Sequence, residues 1–161
     1  MESPFWTFSI SFYRQPGVAQ ACLTCQDDAG ADVNIILFML WQATRSIRLD
    51  SSEVAAIDAS VAPWRSQVVE PLRTIRRLLK DSPILSAGNA YRERIKAVEL
   101  EAERLLQEAL FAASPTGSPM LDTAAAARAN LDAYRRASGV TLPVAAVETL
   151  LAAMAVPDAN A

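Results

Sequence analysis

The sequence predicts an all-α fold: a single-domain helical bundle of about seven helices, with one long helix in its C-terminal half. No segment shows the sustained alternation of apolar and polar residues that is typical of a half-buried strand, and helix-capping residues and prolines recur along the chain. The 161 residues are about the size of one domain, and 52% of them are hydrophobic. We expect residues 1–156 to form the domain and residues 157–161 to be a frayed tail.

The N-terminal half is predicted to contain five helices, over residues 4–14, 18–28, 33–47, 51–62 and 63–80. Pro4 is typical of a first helical position. Asp32 is the expected N-cap of the third helix, and Asp50 with Glu53 forms a capping-box pattern before the fourth. Pro71 lies inside the fifth helix, where the loss of a backbone hydrogen bond predicts a kink.

The C-terminal half is predicted to begin with a linker, residues 81–90, followed by a long helix over residues 91–113. Apolar or small side chains recur along that helix with the spacing of one packed seam, at Tyr91, Ile95, Val98, Ala102, Leu105 and Ala109. A turn-rich segment, residues 114–119, separates it from an Ala-rich helix that ends near Ala137. Pro143 opens the last helix.

Composition limits the possible functions. The chain contains no histidine, which excludes His-based acid–base catalysis, Ser–His and Cys–His nucleophile pairs, and His metal ligands. The net charge of −3 argues against nucleic-acid binding. The longest apolar run, Ile35 to Trp41, is far shorter than the ~20 residues that span a bilayer. The N-terminus does not resemble a secretory signal, so we expect a cytoplasmic protein.

The fifth predicted helix carries a basic stripe beside an apolar one that begins at Trp64. The basic stripe consists of Arg65, Arg73, Arg76 and Lys80, with Arg77 at its edge. Residues 43–80 hold seven Lys or Arg and four Asp or Glu, so this segment carries +3 in an acidic protein. Two interpretations stay open: an anion site for a phosphate, a carboxylate or an acidic partner, or a helix face whose charges are solvated or paired with acids of this chain.

An acidic turn, Asp27, Asp28 and Asp32 around Gly30, precedes the third helix. Its spacing resembles the aspartate-rich motifs with which prenyl-diphosphate enzymes hold magnesium, but the chain lacks a second such motif. The alternative is that Asp32 caps the helix. Asn34 starts a helix that is apolar nearly all round, so it needs a partner in a neighbouring helix or a ligand.

Three glutamates of the long helix, Glu99, Glu101 and Glu103, are expected to spread around it rather than converge. Cys22 and Cys25 form a Cys-x-x-Cys sequence without the preceding strand of a redox site and without two further zinc ligands. We expect them to be buried small hydrophobes.

Two groups of residues carry a resemblance to a known family. The first group consists of Phe5-Trp6, Tyr13, Pro16-Gly17-Val18, Ala21-Cys22-Leu23, Gln26-Asp27, Gly30, Asp32-Val33-Asn34 and Leu40-Trp41. The second group consists of Trp64-Arg65, Val68-Val69, Pro71-Leu72-Arg73 and Arg76. On these residues the chain resembles a family of small proteobacterial proteins catalogued only as a domain of unknown function, over about residues 5–110. The resemblance implies a bacterial cytoplasmic protein and no known activity. In that family position 25 is usually aliphatic, so Cys25 departs from the pattern.

We therefore predict a non-enzymatic binding or interaction domain in which the acidic turn and the basic stripe line one polar cleft. The candidate ligand-binding residues are Asp27, Asp32, Asn34, Trp41, Trp64, Arg65, Arg73 and Arg76. No catalytic residue, metal or cofactor is predicted, and the expected partner is a protein or a small acidic ligand. Two alternatives stay open: a magnesium-dependent enzyme or binder of a phosphorylated or diphosphate small molecule, and a homo-oligomer with the long helix as its seam.

Overall fold

A computed structural model describes residues 2–85 and 89–155, so the predicted tail and the middle of the linker lie outside the described residues. The helices are α1 (Pro4–Tyr13), α2 (Val18–Ala29), α3 (Val33–Thr44), α4 (Ser51–Trp64), a π-helical segment (Arg65–Val69), α5 (Glu70–Lys80), α6 (Ala90–Ala112), α7 (Thr123–Ser138) and α8 (Val144–Met154). Two-residue strands, β1 (Ile47–Arg48) and β2 (Ser118–Pro119), pair antiparallel. The prediction of an all-α fold is confirmed.

The apolar helix α3 is the centre of the core. Its residues 34–43 are all buried, and α1, α2, α6 and α7 pack around it. The N-cap prediction is confirmed, because Asp32 Oδ1 accepts a hydrogen bond from the Asn34 N–H at 2.8 Å. The capping box of Asp50 and Glu53 at the start of α4 is confirmed as well.

The end of α3 differs from the prediction. The helix stops at Thr44 rather than near Ile47, because Ser46 adopts a φ of +59°, a left-handed conformation that an α-helix does not contain. The chain then runs through β1, where Ile47 pairs with Pro119.

The predicted break at Pro63 is wrong. Pro63 lies inside α4, and α4, the π-helical segment and α5 form one continuous helical rod over residues 51–80. The distortion that Pro71 imposes occurs one turn earlier, where the Glu70 N–H bonds to the Arg65 carbonyl five residues back. A widened π turn before a proline relieves the crowding of its ring against the preceding turn.

The predicted apolar seam of α6 is wrong at four of its six positions. Tyr91, Val98 and Leu105 are exposed by 47%, 52% and 43%, and Ala109 is exposed as well. The buried face of α6 consists instead of Glu99, Ala102, Leu106, Gln107 and Leu110. A hydrophobic pattern cannot identify this face, because two of its five side chains are polar and are stabilised by partners on other helices. The homo-oligomer interpretation stays a prediction, and Tyr91, Val98 and Leu105 are the exposed apolar side chains that it would use.

Within residues 2–85 and 89–155, every helix is too short or too polar to cross a bilayer.

A single buried amide joins the C-terminal end of α3 and strand β1 to α7. Asn130 is fully buried; its Oδ1 accepts from the Leu49 N–H at 2.7 Å, and its Nδ2 donates to the carbonyls of Met39 at 3.1 Å and Ile47 at 2.9 Å. Two of these bonds satisfy backbone groups of the segment that follows α3, at Ile47 and Leu49, and the third reaches the Met39 carbonyl inside the helix.

Replacing this amide should destabilise the protein strongly. We expect Asn130→Ala to lower the free energy of unfolding by about 3 kcal/mol, because three buried backbone groups lose a hydrogen-bond partner. Urea denaturation followed by circular dichroism measures the change. Arg136→Ala, an exposed position on the same helix, is the control and should cost no more than about 0.5 kcal/mol. Equal stability of the two variants would contradict this role of Asn130.

Candidate functional site

A cavity of about 390 Å³ opens between α1, α2, α3, α5 and α6. Its apolar walls are supplied by Trp6, Ile10, Leu23, Val33, Leu37 and Leu100. Its polar lining comes mainly from α5, α6 and the ends of α1 and α3. The volume is within the range that small-molecule sites in proteins occupy, about 300 to 1,000 Å³.

One side of the cavity is an acid–arginine network between α5 and α6. Glu99 is 6% exposed, and its carboxylate accepts hydrogen bonds from Arg76 Nε and from Arg76 Nη2, the latter at 3.2 Å. Arg73 Nε lies 3.4 Å from Glu99 Oε1, and Arg73 Nη2 donates to Glu103 Oε1 at 2.8 Å. Glu99 and Glu103 therefore converge on Arg73, which corrects the expectation that the glutamates of α6 spread around the helix. Glu101 is exposed and pairs only with Arg104.

The network perturbs its ionisable groups. Burial raises the pKa of the Glu103 carboxyl, although Arg73 beside it opposes the shift. The hydrogen bond to Glu99 raises the pKa of the Arg76 guanidinium. Burial also raises the pKa of the Tyr13 hydroxyl, with the charges on Cys22 and Glu103 adding to the effect. Arg76 is therefore held firmly in its charged form, whereas desolvation disfavours ionisation of Glu103.

The lining of the cavity carries a net positive charge. Four cations line it, Arg14, Arg73, Arg76 and Lys96, against two carboxylates, which gives +2 if all six are ionised. Arg14 and Lys96 are exposed, and neither forms an ion pair within the part of the chain that the structure describes. The carboxylates thus occupy Arg73 and Arg76 and leave the other two cations for a ligand.

A group of buried amides and one hydroxyl forms the polar interior of the cavity. Asn34 is 5% exposed, and its Oδ1 accepts from Gln107 Nε2 at 2.8 Å. The structural alternative is thus confirmed, since Asn34 has its partner on a neighbouring helix. Asn34 also lines the cavity, and its use toward a ligand stays a prediction. Gln107 Oε1 and Ser9 Oγ, both buried, have no hydrogen-bond partner within the described residues.

Two of the three acids in the acidic turn form ion pairs with arginines. Arg65 Nε lies 2.9 Å from Asp32 Oδ2 without the alignment of a hydrogen bond, and Arg65 Nη2 donates to Asp58 Oδ1 at 2.6 Å. Burial raises the pKa of Asp32, and Arg65 opposes the shift. The Asp32 N–H donates to Tyr134 Oη at 2.9 Å, and burial raises the pKa of Tyr134 to about 12. Asp32 and Arg65 therefore pack together, but they do not line the cavity.

Asp27 pairs with the neighbouring arginine of the stripe, as its Oδ1 accepts from Arg77 Nη2 at 2.8 Å. This pair is about half exposed on both sides. The hydrogen bond from Arg77 lowers the pKa of Asp27. Of the three acids in the turn, only Asp28 has no ion-pair partner in the described chain, which leaves little there to hold magnesium. Among the described residues, no group of three His, Cys, Asp or Glu is placed to bind a metal ion.

Two candidate tryptophans lie away from the cavity. Trp41 is 5% exposed and packs between Phe5, Phe38 and Phe111. Trp64 donates from Nε1 to the Ala102 carbonyl at 2.9 Å, which holds α4 against α6. Of the sequence-predicted residues, the structure brings Asn34, Arg73 and Arg76 together at the cavity.

The cavity also contains residues that sequence reasoning missed: Trp6, Ser9, Arg14, Lys96, Glu99 and Gln107. A pattern in α6 could have identified part of this set, because Glu99, Glu103 and Gln107 are spaced by four residues and so share one helix face. No comparable pattern marks the lining residues of α1.

The buried thiols have low reactivity. Cys22 and Cys25 are both free and fully buried. Burial raises the pKa of Cys22 to about 12 and raises that of Cys25 as well. Since the thiolate is the reactive form, neither cysteine is activated as a nucleophile.

Together these features define an all-helical domain in which an acid–arginine network borders a cationic, apolar-walled cavity. A family model, described as protein of unknown function DUF2390, matches residues 4–110, and the chain belongs to this family. The matched segment includes every residue that lines the cavity, whereas α7 and α8 lie beyond it. Comparisons with curated proteins and with solved structures gave no match.

The network makes a stability prediction. We expect Glu99→Gln to lower the free energy of unfolding by about 2 kcal/mol or more, because Arg73 and Arg76 lose a largely buried counter-charge. Thermal and urea unfolding measure this. Arg77→Ala, which breaks the half-exposed pair with Asp27, is the control and should change stability by no more than about 0.5 kcal/mol. A Glu99→Gln protein as stable as wild type would show that the network contributes nothing to folding.

Proposed function

We propose that this protein is a non-enzymatic binding domain and that its cavity takes a small anionic molecule with an apolar body. The observation that carries the proposal is the combination of net positive charge and apolar walls in one cavity of ligand size. Such sites commonly use apolar contact for affinity and a few polar groups for orientation.

The cations favour an anion over a neutral molecule. Arg14 and Lys96 have no ion-pair partner within the described residues and stand at the exposed edge of the cavity. Arg73 and Arg76 use Nε and Nη2 on the glutamates, and the Nη1 group of each donates to no described residue. A carboxylate or phosphate entering the cavity thus has guanidinium and ammonium donors that the internal network does not occupy.

The chemistry of the lining supports binding rather than catalysis. Glu99 is held between two arginines and Glu103 by one, so neither carboxylate is a free general base. The chain contains no histidine, and the pKa of both thiols is raised. We also propose a cytoplasmic location, which two free cysteines in a small domain fit.

A matched pair of small probes tests the proposal. We expect 3-phenylpropanoate to bind about tenfold more tightly than the neutral 3-phenylpropanamide, because only the acid gains charge-assisted hydrogen bonds. Titrations followed by protein NMR at low salt give both dissociation constants. The double variant Arg14→Gln with Lys96→Gln should lose this preference and keep its melting temperature.

The matched control is Lys80→Gln, an exposed lysine at the end of α5 that does not line the cavity. It should keep the preference for the acid. Equal affinity of the acid and the amide for the wild-type protein, or no binding of either, would contradict the proposed function.

A further inference from the structure

We infer that two copies of this chain form a symmetric dimer by pairing their α6 helices antiparallel. The inference goes beyond the proposed function, because none of the residues on which it depends lines the cavity. It depends on three properties of the outer face of α6: the spacing of its apolar side chains, the sizes of those side chains, and the charges beside them.

An exposed apolar stripe runs along α6. Tyr91, Val98 and Leu105 are exposed, and so are Ala109 and Ala112. Tyr91, Val98 and Leu105 are each seven residues from the next, and Ala112 continues the series. Seven residues are nearly two full turns, so the four side chains lie in one line along the helix. A line of apolar side chains at this spacing is typical of the seam between two paired helices.

Trp64 widens the stripe at its middle. The side chain of Trp64 is 40% exposed. Its Nε1–H donates to the Ala102 carbonyl at 2.9 Å, and Ala102 lies one turn from both Val98 and Leu105. Single apolar side chains are normal on a protein surface, whereas a contiguous patch indicates contact with another molecule. Tryptophan is also among the residues that contribute most to protein interfaces.

The stripe is complementary in shape to a second copy that runs in the opposite direction. A two-fold axis between residues 101 and 102 places Val98 opposite Leu105 of the other copy. The same axis places the large ring of Tyr91 opposite Ala112, the smallest side chain of the stripe. Parallel pairing would instead place Tyr91 against Tyr91 and Ala112 against Ala112, which crowds one end and leaves a gap at the other.

The charges along one edge of the stripe favour the same orientation. Arg94, Glu101 and Glu108 follow this edge, again seven residues apart. Within the described residues Arg94 and Glu108 form no ion pair, and Glu108 uses only Oε1, on the Ser3 N–H at 2.9 Å. Antiparallel pairing brings the same edge of both copies together, so Arg94 faces Glu108 of the other copy at each end. Glu101 meets its own symmetry mate, but Arg104 of the same chain neutralises it.

The oligomeric state of the full chain tests the inference. In sedimentation velocity from micromolar to millimolar concentration, we expect wild type to change from one chain to two. Val98→Glu should raise the dissociation constant at least about hundredfold, because each copy then buries a carboxylate in an apolar seam. Val144→Glu is the matched control: it alters an exposed valine of α8, which packs on α2 and α7, and should leave the dissociation constant unchanged.

Charge reversal tests the orientation. Arg94→Glu and Glu108→Arg should each weaken the dimer about tenfold, because like charges then meet at both ends of the seam. An equimolar mixture of the two variants should dimerise as wild type does, since every pair in the mixed dimer again joins opposite charges. The melting temperature of each variant, measured at a dilution where wild type is monomeric, controls for damage to the fold.

Three outcomes would overturn the inference: a wild-type chain that stays monomeric at millimolar concentration, a dimer that Val98→Glu leaves intact, or a mixture of the charge variants that associates no better than either alone. The proposed function is tested separately. Val98→Glu should bind 3-phenylpropanoate as wild type does, because Val98 does not line the cavity.

Discussion

The complete burial of α3 is the constraint on which the rest of the structure depends. A helix that is apolar on every side must be covered on every side, and α1, α2, α6 and α7 do this. Its first turn nevertheless contains Asn34, whose amide needs a buried partner, and Gln107 of α6 supplies it. The same face of α6 carries Glu99 two turns earlier, and this carboxylate is stabilised by Arg73 and Arg76 of α5. Asn34 is thus bonded to the same face of α6 that supplies the carboxylates of the cavity.

The distribution of charge follows from these contacts. Most of the basic stripe on α5 is neutralised within the protein, by Glu99, Glu103 and the acidic turn, so the stripe itself is not an open anion surface. The cations that remain for a ligand are Arg14, at the C-terminal end of α1, and Lys96 of α6. Only the folded bundle brings these two residues to the same cavity. A protein of net charge −3 can therefore still present a positive cavity.

Local interactions could be predicted from the sequence, and long-range ones could not. Asp32 was predicted as a cap because the cap and its donor are two residues apart. The prediction that a new helix begins at Pro63 is wrong, because Pro63 lies inside α4. Whether a helix can contain a proline depends on the turns that surround it. Glu99 and Gln107 were missed as buried residues because a hydrophobic pattern assigns polar side chains to the surface, and only their partners on other helices reverse this. Lys96 joins the site through tertiary packing alone. The binding role of the site residues stays a prediction.

Binding of an anion in the cavity beside Asn34 can be followed directly through the three tryptophan indoles. Trp6 lines the cavity, whereas Trp41 is packed in the core and Trp64 is hydrogen-bonded to α6. In a ¹⁵N-labelled sample titrated with 3-phenylpropanoate, we expect the Trp6 indole resonance and the Asn34 side-chain amide to shift with the same dissociation constant while the other two indoles stay in place. Saturable shifts confined to Trp64 or to α7 and α8, with Trp6 unmoved, would contradict it.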